Sequence, residues 1–153
     1  MWQSLRRSLE SRHRVIVPDL PGHGESSSEE YISHSATINA VADMVLQRVG
    51  SPVAVIGFSL GAQLSIGLAA QHAPLVSRIM VVSAQAKPMA FGGLTLGILG
   101  LSAPLARRRW FARLQARQLF IPPELMEQYI DTSAGITKAT LTAAVGENLR
   151  FAL

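Results

Sequence analysis

Apolar positions in the first third of the chain change between helical spacing and short uninterrupted runs. The spacing predicts a helix from Trp2 to about Ser11. The apolar run Val15–Val17 predicts a short strand that is covered on both faces. From Ser33 to Arg48 the apolar residues follow one helical face, which predicts an amphipathic helix.

A second alternation of strand and helix patterns follows. Val53 to Ile56 predicts a strand, Leu60 to His72 predicts a helix, and Arg78 to Val82 predicts a further strand. Because strands and helices alternate, the expected fold class is α/β, with a partial parallel sheet joined by crossover helices.

The pattern changes after Ser83, first to an apolar stretch and then to arginine-rich helical stretches. Pro122 and Pro123 open a further predicted helix toward Tyr129. We therefore expect residues 1–86 to form the core of the fold and residues 87–153 to form a helical cap.

Composition and charge limit the kind of protein this can be. The chain has 153 residues, 48% hydrophobic and 16% charged, which suits one sizeable core. Lys and Arg exceed Asp and Glu by 14 to 10, and much of the excess lies at Arg107, Arg108, Arg109, Arg113 and Arg117. No aromatic-interleaved basic motif accompanies these arginines, so a solvated helix face is expected and a nucleic-acid partner is not.

The sequence contains none of the common cofactor-binding signatures: cysteine ligands, the HExxH motif and the glycine-rich phosphate loop. Cysteine is absent, which excludes disulfides, thiolate metal sites and cysteine nucleophiles. The sequence also has no HExxH motif and no glycine-rich phosphate loop. We expect neither a metal nor a cofactor.

Two segments without charged residues, Val49–Ser77 and Pro88–Ala106, are long enough to cross a bilayer. Pro52 and the glycines around Ser59 interrupt the first segment, and several glycines interrupt the second. No membrane span is expected, and the second segment is predicted to be a mobile apolar lid. Met1 to Arg14 has no apolar region typical of a signal peptide, so a cytoplasmic location is expected.

The motif G-F-S-L-G, from Gly57 to Gly61, stands between a predicted strand and a predicted helix. A serine in such a turn is exposed on strained backbone, and the flanking glycines, Gly57 and Gly61, allow close approach of neighbouring elements. Ser59 is thus a candidate nucleophile, and the Leu60 N–H at the start of the helix is a candidate oxyanion donor. A Gly-Ser-Gly turn without chemistry is the alternative.

Together with "VIVPDLPGHGES" upstream, this motif resembles the α/β-hydrolase family, in which a P-D-x-x-G-x-G-x-S turn precedes the nucleophile elbow. The resemblance covers Trp2 to about Ala84 closely and the remainder loosely, as a helical cap would. It implies a serine hydrolase that acts on esters, thioesters or related carbonyl compounds, and hence a small acyl or carbonyl substrate.

The family's catalytic acid and histidine have no counterpart here. The family order is serine, acid and then a histidine near the C-terminus, but no histidine follows His72. We expect His13 and His34 to be exposed, His23 to shape the P-G-H-G turn, and His72 to cap helix carbonyls. None of the four is expected to act as the base, and Asp19 is assigned to the turn motif.

The resemblance also implies that the chain is an internal portion of the fold, because the family's loop with the second oxyanion donor and its third strand have no counterpart here. Such a chain is expected to be inactive by itself. A non-catalytic binding or regulatory module is the alternative function. Open strand edges predict self-association.

Overall fold

The computed structural model describes residues 2–88, 90, 92–93, 96–97, 108–118 and 121–153. The helices are α1 (Gln3–Leu9), α2 (His34–Arg48), α3 (Leu60–Gln71), α4 (Arg109–Gln118), α5 (Met126–Gly135) and α6 (Lys138–Arg150). The strands are β1 (Val53–Phe58) and β2 (Val76–Val82), and short 3₁₀ turns occupy Gly24–Ser26, Ala73–Leu75 and Pro123–Leu125. The chain forms two compact units, one from Met1–Glu29 with Pro104–Ile136 and one from Glu30–Ala103 with Thr137–Leu153.

The second unit contains a parallel pair of strands joined through a helix. β1 pairs with β2 from Val53↔Val76 to Phe58↔Val82, with one irregularity after Val53. This confirms the predicted strand, helix and strand between Val53 and Val82, and β2 begins earlier than the predicted Arg78. Parallel strands cannot be joined by a tight hairpin, so α3 provides the connection.

The apolar helix α3 packs against both strands, and the amphipathic helix α2 packs against α3. In α2, Ile38, Ala42 and Val45 of the predicted helical face are buried, whereas Leu46 of the same face is 54% exposed. A Cβ at Gly67 of α3 would overlap the Cδ1 atom of Ile38, so the glycine lets α2 approach α3 closely. The Ser33 side chain accepts a hydrogen bond from the Ala36 N–H, which explains why α2 begins at His34.

The strand pair leaves much apolar surface uncovered. Met80 of β2 is 59% exposed, and five further large apolar side chains of the two strands are also exposed: Ile56, Phe58, Ile79, Val81 and Val82. The predicted strand Val15–Val17 is wrong, because these residues belong to no strand. A strand needs a hydrogen-bonded neighbour, and within the described residues the sheet has only the two strands β1 and β2.

The first unit is helical. Arg109 of α4 forms ion pairs with Glu127 and Asp131 of α5, and Arg113 also reaches Glu127 at 3.5 Å. All these side chains are more than half exposed, which agrees with the predicted solvated helix face. The predicted helix toward Tyr129 is confirmed as α5 after a 3₁₀ turn that begins at Pro123.

Most of the predicted apolar lid, Pro88–Ala106, lies outside the described residues. None of the helices that the structure describes is long and apolar enough to cross a membrane.

Candidate active site

A sharp turn at Ser59 joins β1 directly to α3. Ser59 has φ 53° and ψ −117°, a conformation that is rare for residues other than glycine. Its N–H donates to the Val82 carbonyl oxygen at 2.9 Å, and its own carbonyl oxygen accepts from the Ala62 N–H at 2.9 Å. The turn is therefore fixed to β2 on one side and to the first turn of α3 on the other, with Ser59 exposed.

Gly57 is required by the close approach of α3 to β1. A Cβ at this position would overlap the Gly61 carbonyl oxygen and the Ser65 Oγ, and would lie 2.6 Å from the Gly61 carbonyl carbon. Ser65 Oγ donates to the same Gly61 oxygen at 2.7 Å, so the space is filled by a hydrogen-bonded pair. No side chain larger than hydrogen fits there without moving the helix.

Gly61 differs from Gly57. A Cβ at Gly61 would meet no atom of the described residues within 4 Å. The predicted close approach is therefore found at Gly57, where the Gly61 carbonyl group makes the contact, but not around the Cβ position of Gly61.

The Leu60 N–H lies at the beginning of α3, where backbone N–H groups have no acceptor one turn earlier. Within the part of the chain that the structure describes, no backbone or side-chain atom accepts a hydrogen bond from Leu60. This N–H is available to an oxygen at the Ser59 turn, and the positive end of the helix dipole favours negative charge there.

A buried hydrogen-bond network around Gln63 of α3 lies behind the turn, and it was not predicted from the sequence. The Gln63 side chain is fully buried, and its Nε2 donates to the carbonyl oxygens of Gln85 and Asn148 at 3.0 and 3.3 Å. Its Oε1 accepts from Asn148 Nδ2 at 3.1 Å and from His34 Nε2 at 3.0 Å. His34 Nδ1 is then left to accept from the Tyr31 hydroxyl at 3.0 Å. The one signal in the sequence was a glutamine within an apolar helix.

Charged and titratable groups surround His34. Glu147 of α6 accepts from the His34 backbone N–H at 3.1 Å and from Arg150 at 3.2 Å. The His34 backbone hydrogen bond, followed by Arg150, lowers the pKa of the Glu147 carboxyl from its usual value. Burial raises the pKa of the Tyr31 hydroxyl to about 12.

The two histidines in the same unit as Ser59, His34 and His72, are hydrogen-bonded to other groups. The prediction that His34 is exposed is wrong, since the residue is 7% exposed and both its ring nitrogens are hydrogen-bonded. His72 Nε2 bonds Asn39 Oδ1 at 2.9 Å, whereas a bond to helix carbonyls was predicted. His13 is exposed as expected, and His23 Nδ1 bonds the Pro21 carbonyl oxygen at 2.9 Å within its turn.

The P-G-H-G turn in the first unit depends on Asp19. Its Oδ2 accepts from the Glu25 N–H at 2.9 Å, and a Cβ at Gly24, which has φ 52°, would overlap the same carboxylate. Asp19 thus stabilises the turn, as the sequence analysis predicts. Among the hydrogen bonds of the described residues, none joins a carboxylate or an imidazole to the Ser59 side chain.

Comparison with known proteins gives both a family and a fold. A family model described as the alpha/beta hydrolase family matches residues 1–150. A pimeloyl-(acyl-carrier protein) methyl ester esterase of Vibrio cholerae is 30% identical over 92 residues, which are 60% of this chain and 34% of that protein. An uncharacterized protein of Mycobacterium tuberculosis is 34% identical over 84 residues, 54% of this chain and 25% of that protein.

Solved structures with a similar fold match nearly the whole chain, as two examples show. A hydrolase from Pseudomonas aeruginosa has a TM-score of 0.80 at 17% identity, covering 100% of this chain and 60% of that one. An esterase from Exiguobacterium antarcticum has a TM-score of 0.80 at 15% identity, covering 99% of this chain and 62% of that one. The chain therefore spans about 60% of these structures and about a third of the Vibrio esterase.

Proposed function

Because the chain belongs to the alpha/beta hydrolase family, we propose that Ser59 is the nucleophile of an esterase site. The observation that carries this proposal is the Ser59 turn, which holds an exposed hydroxyl on strained backbone beside the Leu60 N–H, for which the described part of the chain offers no acceptor. Esterase names among the relatives support an ester as the substrate class. A thioester or a related carbonyl compound would react by the same chemistry.

In the proposed reaction, Ser59 Oγ forms a bond to the carbonyl carbon of the ester, and the hydroxyl proton passes to a general base. The carbonyl oxygen becomes an oxyanion, and the Leu60 N–H donates to it. Collapse of this intermediate breaks the bond to the alcohol oxygen, which leaves with a proton. Water then attacks the acyl-serine, releasing the acid and restoring the Ser59 hydroxyl.

The chain alone supplies the nucleophile and one oxyanion donor, and we propose that it lacks the base. His34 and His72, the histidines of the unit that contains Ser59, use ring nitrogens in other hydrogen bonds. Without a base the serine hydroxyl is a weak nucleophile, so turnover by this chain is expected to be marginal. The division into a core over residues 1–86 and a cap over residues 87–153, and the cytoplasmic location, stay predictions.

Covalent labelling tests the nucleophile role independently of turnover. The 153-residue chain is incubated with a fluorophosphonate, and the modified residue is located by peptide mass spectrometry. Because the chain is proposed to lack the base, we expect labelling to be slow and to need high reagent concentration, with the adduct preferentially at Ser59, its loss in Ser59→Ala and no change in Ser51→Ala, a matched exposed serine before β1. Equal labelling of Ser51 and Ser59 would refute the proposal.

Hydrolysis of p-nitrophenyl butyrate tests whether the chain is catalytically incomplete. The expected rate is close to that of buffer. A rate typical of an esterase that disappears in Ser59→Ala would contradict the missing base and would require one of the four histidines in that role.

The alternative function is a non-catalytic binding or regulatory module. The engagement of His34 and His72 in other hydrogen bonds favours this alternative for the chain by itself. Selective labelling of Ser59 would argue against it, because a turn kept only for packing gives its serine no special reactivity.

A further inference from the structure

A second serine in the described chain has a positive φ angle, as Ser59 does. Ser83 has φ 56°, and Ser59 and Ser83 are the two non-glycine residues with positive φ among those that the structure describes. A glycine would adopt this conformation without steric cost, whereas the Cβ of serine is disfavoured there. Strained residues of this kind persist where surrounding contacts fix them, and they cluster at functional sites.

The two strained serines are neighbours at the same edge of the sheet. Phe58 of β1 pairs with Val82 of β2, and Ser59 and Ser83 are the residues that follow. The Ser59 N–H donates to the Val82 carbonyl oxygen at 2.9 Å, which holds the two strand ends together. Adjacent strands are separated by about 5 Å, so the two residues lie within reach of one small ligand.

Contacts on both sides hold Ser83 in its conformation. The Val82 carbonyl before it is bonded to Ser59, and the Gln85 carbonyl after it is bonded to the buried Gln63 side chain at 3.0 Å. Ser83 itself is exposed, and no hydrogen bond of its hydroxyl is found to any residue that the structure describes. Among the described residues the Ser83 hydroxyl therefore has no hydrogen-bond partner, and it follows the strand end that is paired with that of Ser59.

We propose that the Ser83 hydroxyl is a second substrate-binding group of the Ser59 site, which donates a hydrogen bond to an oxygen of the bound ester. This inference rests on the proposed function of Ser59. The ligand is a small acyl compound whose carbonyl carbon lies at Ser59 and whose second oxygen contacts Ser83. Ser83 orients this compound and takes no part in bond making or breaking.

Binding of n-butylboronic acid tests the inference without requiring turnover. Ser59 Oγ forms a bond to the boron atom and releases its proton to solvent, which gives a tetrahedral anion that mimics the reaction intermediate. The affinity is measured by following the backbone amide signals of Leu60 and Ser83 by NMR during titration. Ser59→Ala should abolish binding, and Ser51→Ala should leave it unchanged.

Two variants at position 83 separate the hydroxyl from the backbone. Ser83→Ala removes the hydroxyl and keeps the strain, whereas Ser83→Gly removes both. We expect each variant to bind the boronate about fivefold more weakly, as the loss of one hydrogen bond implies. Only Ser83→Gly should raise the melting temperature.

The outcomes distinguish the two proposals. Unchanged boronate affinity in both Ser83 variants, with loss of binding in Ser59→Ala, would overturn the role of Ser83 and leave that of Ser59 intact. Weaker binding in only one of the two variants would also overturn it, because a backbone effect would then explain the change. Binding that persists in Ser59→Ala, or no binding to the unaltered chain, would overturn both.

Discussion

Gly57→Ala is the substitution for which the structure predicts the largest effect at the Ser59 turn. The added methyl group would overlap the Gly61 carbonyl oxygen and Ser65 Oγ, two atoms that are hydrogen-bonded to each other at 2.7 Å. A carbon and a carbonyl oxygen normally stay more than 3 Å apart, so α3 has to move away from β1. Overpacking of this kind costs about 1–3 kcal/mol, and loss of the Ser65 hydrogen bond adds about 1 kcal/mol.

The free energy of unfolding should therefore fall by about 3 kcal/mol in Gly57→Ala. For a chain of this size the melting temperature should fall by about 6–12 °C, measured by circular dichroism at low protein concentration. Gly61→Ala is the matched control, since its Cβ would meet none of the described residues within 4 Å. Alanine favours a helix over glycine, so this variant should be unchanged or more stable by up to about 1 kcal/mol.

The contrast between the two glycines is the sensitive part of the experiment. Equal destabilisation in Gly57→Ala and Gly61→Ala would refute the conclusion that Gly57 is crowded and that Gly61 is not. So would a melting temperature of Gly57→Ala that matches the unaltered chain, because α3 could not then approach β1 as described.

Four further outcomes are expected. Ser33→Ala should lower the free energy of unfolding by about 1 kcal/mol, because the hydrogen bond from the Ala36 N–H to the Ser33 side chain, 3.1 Å long, is lost. The substitution of the exposed Ser35 by alanine is the control and should leave the free energy of unfolding unchanged. Equal melting temperatures of the two variants would contradict this. Burial raises the pKa of the Tyr31 hydroxyl from the ordinary value of 10.0 to about 12, so the folded state favours the neutral hydroxyl. The stability that this group contributes is therefore present below pH 10.0 and is lost as the pH rises toward 12. The pKa of the Glu147 carboxyl is lowered from 4.5, so the stability that this group contributes is present above pH 4.5 and is lost on acidification. Urea unfolding as a function of pH should show both losses of stability. The loss at high pH should be absent in Tyr31→Phe, and the loss at low pH should be absent in Glu147→Gln. Size-exclusion chromatography with light scattering should detect self-association through the open strand edges and exposed apolar side chains, and a monodisperse monomer would argue against it.

Features formed by residues close together in sequence were predictable. The strand, turn and helix around G-F-S-L-G follow from local apolar spacing and from the serine between two glycines, and the family resemblance they carry is confirmed by the family match. The requirement for a residue without a side chain at position 57 also follows from the motif. The open surroundings of Gly61 do not, because they depend on which neighbours the surrounding fold provides.

Features that depend on distant partners were not predictable. His34 is buried because Gln63 and Glu147, 29 and 113 residues away, approach it from other helices. A histidine one residue after a helix cap has no local signal for such burial. Val15–Val17 has the composition of a strand, but composition does not provide the neighbouring strand that pairing requires.

The Gln63 network has a consequence for the order in which the chain is made. The strand pair and its connecting helix are encoded within Val53–Val82, so they can form soon after those residues leave the ribosome. Asn148, which both donates to and accepts from the Gln63 amide, is synthesised 85 residues later. Until then the Gln63 carboxamide lacks two of its hydrogen bonds, so the helix behind Ser59 reaches its final rigidity only when α6 has been completed.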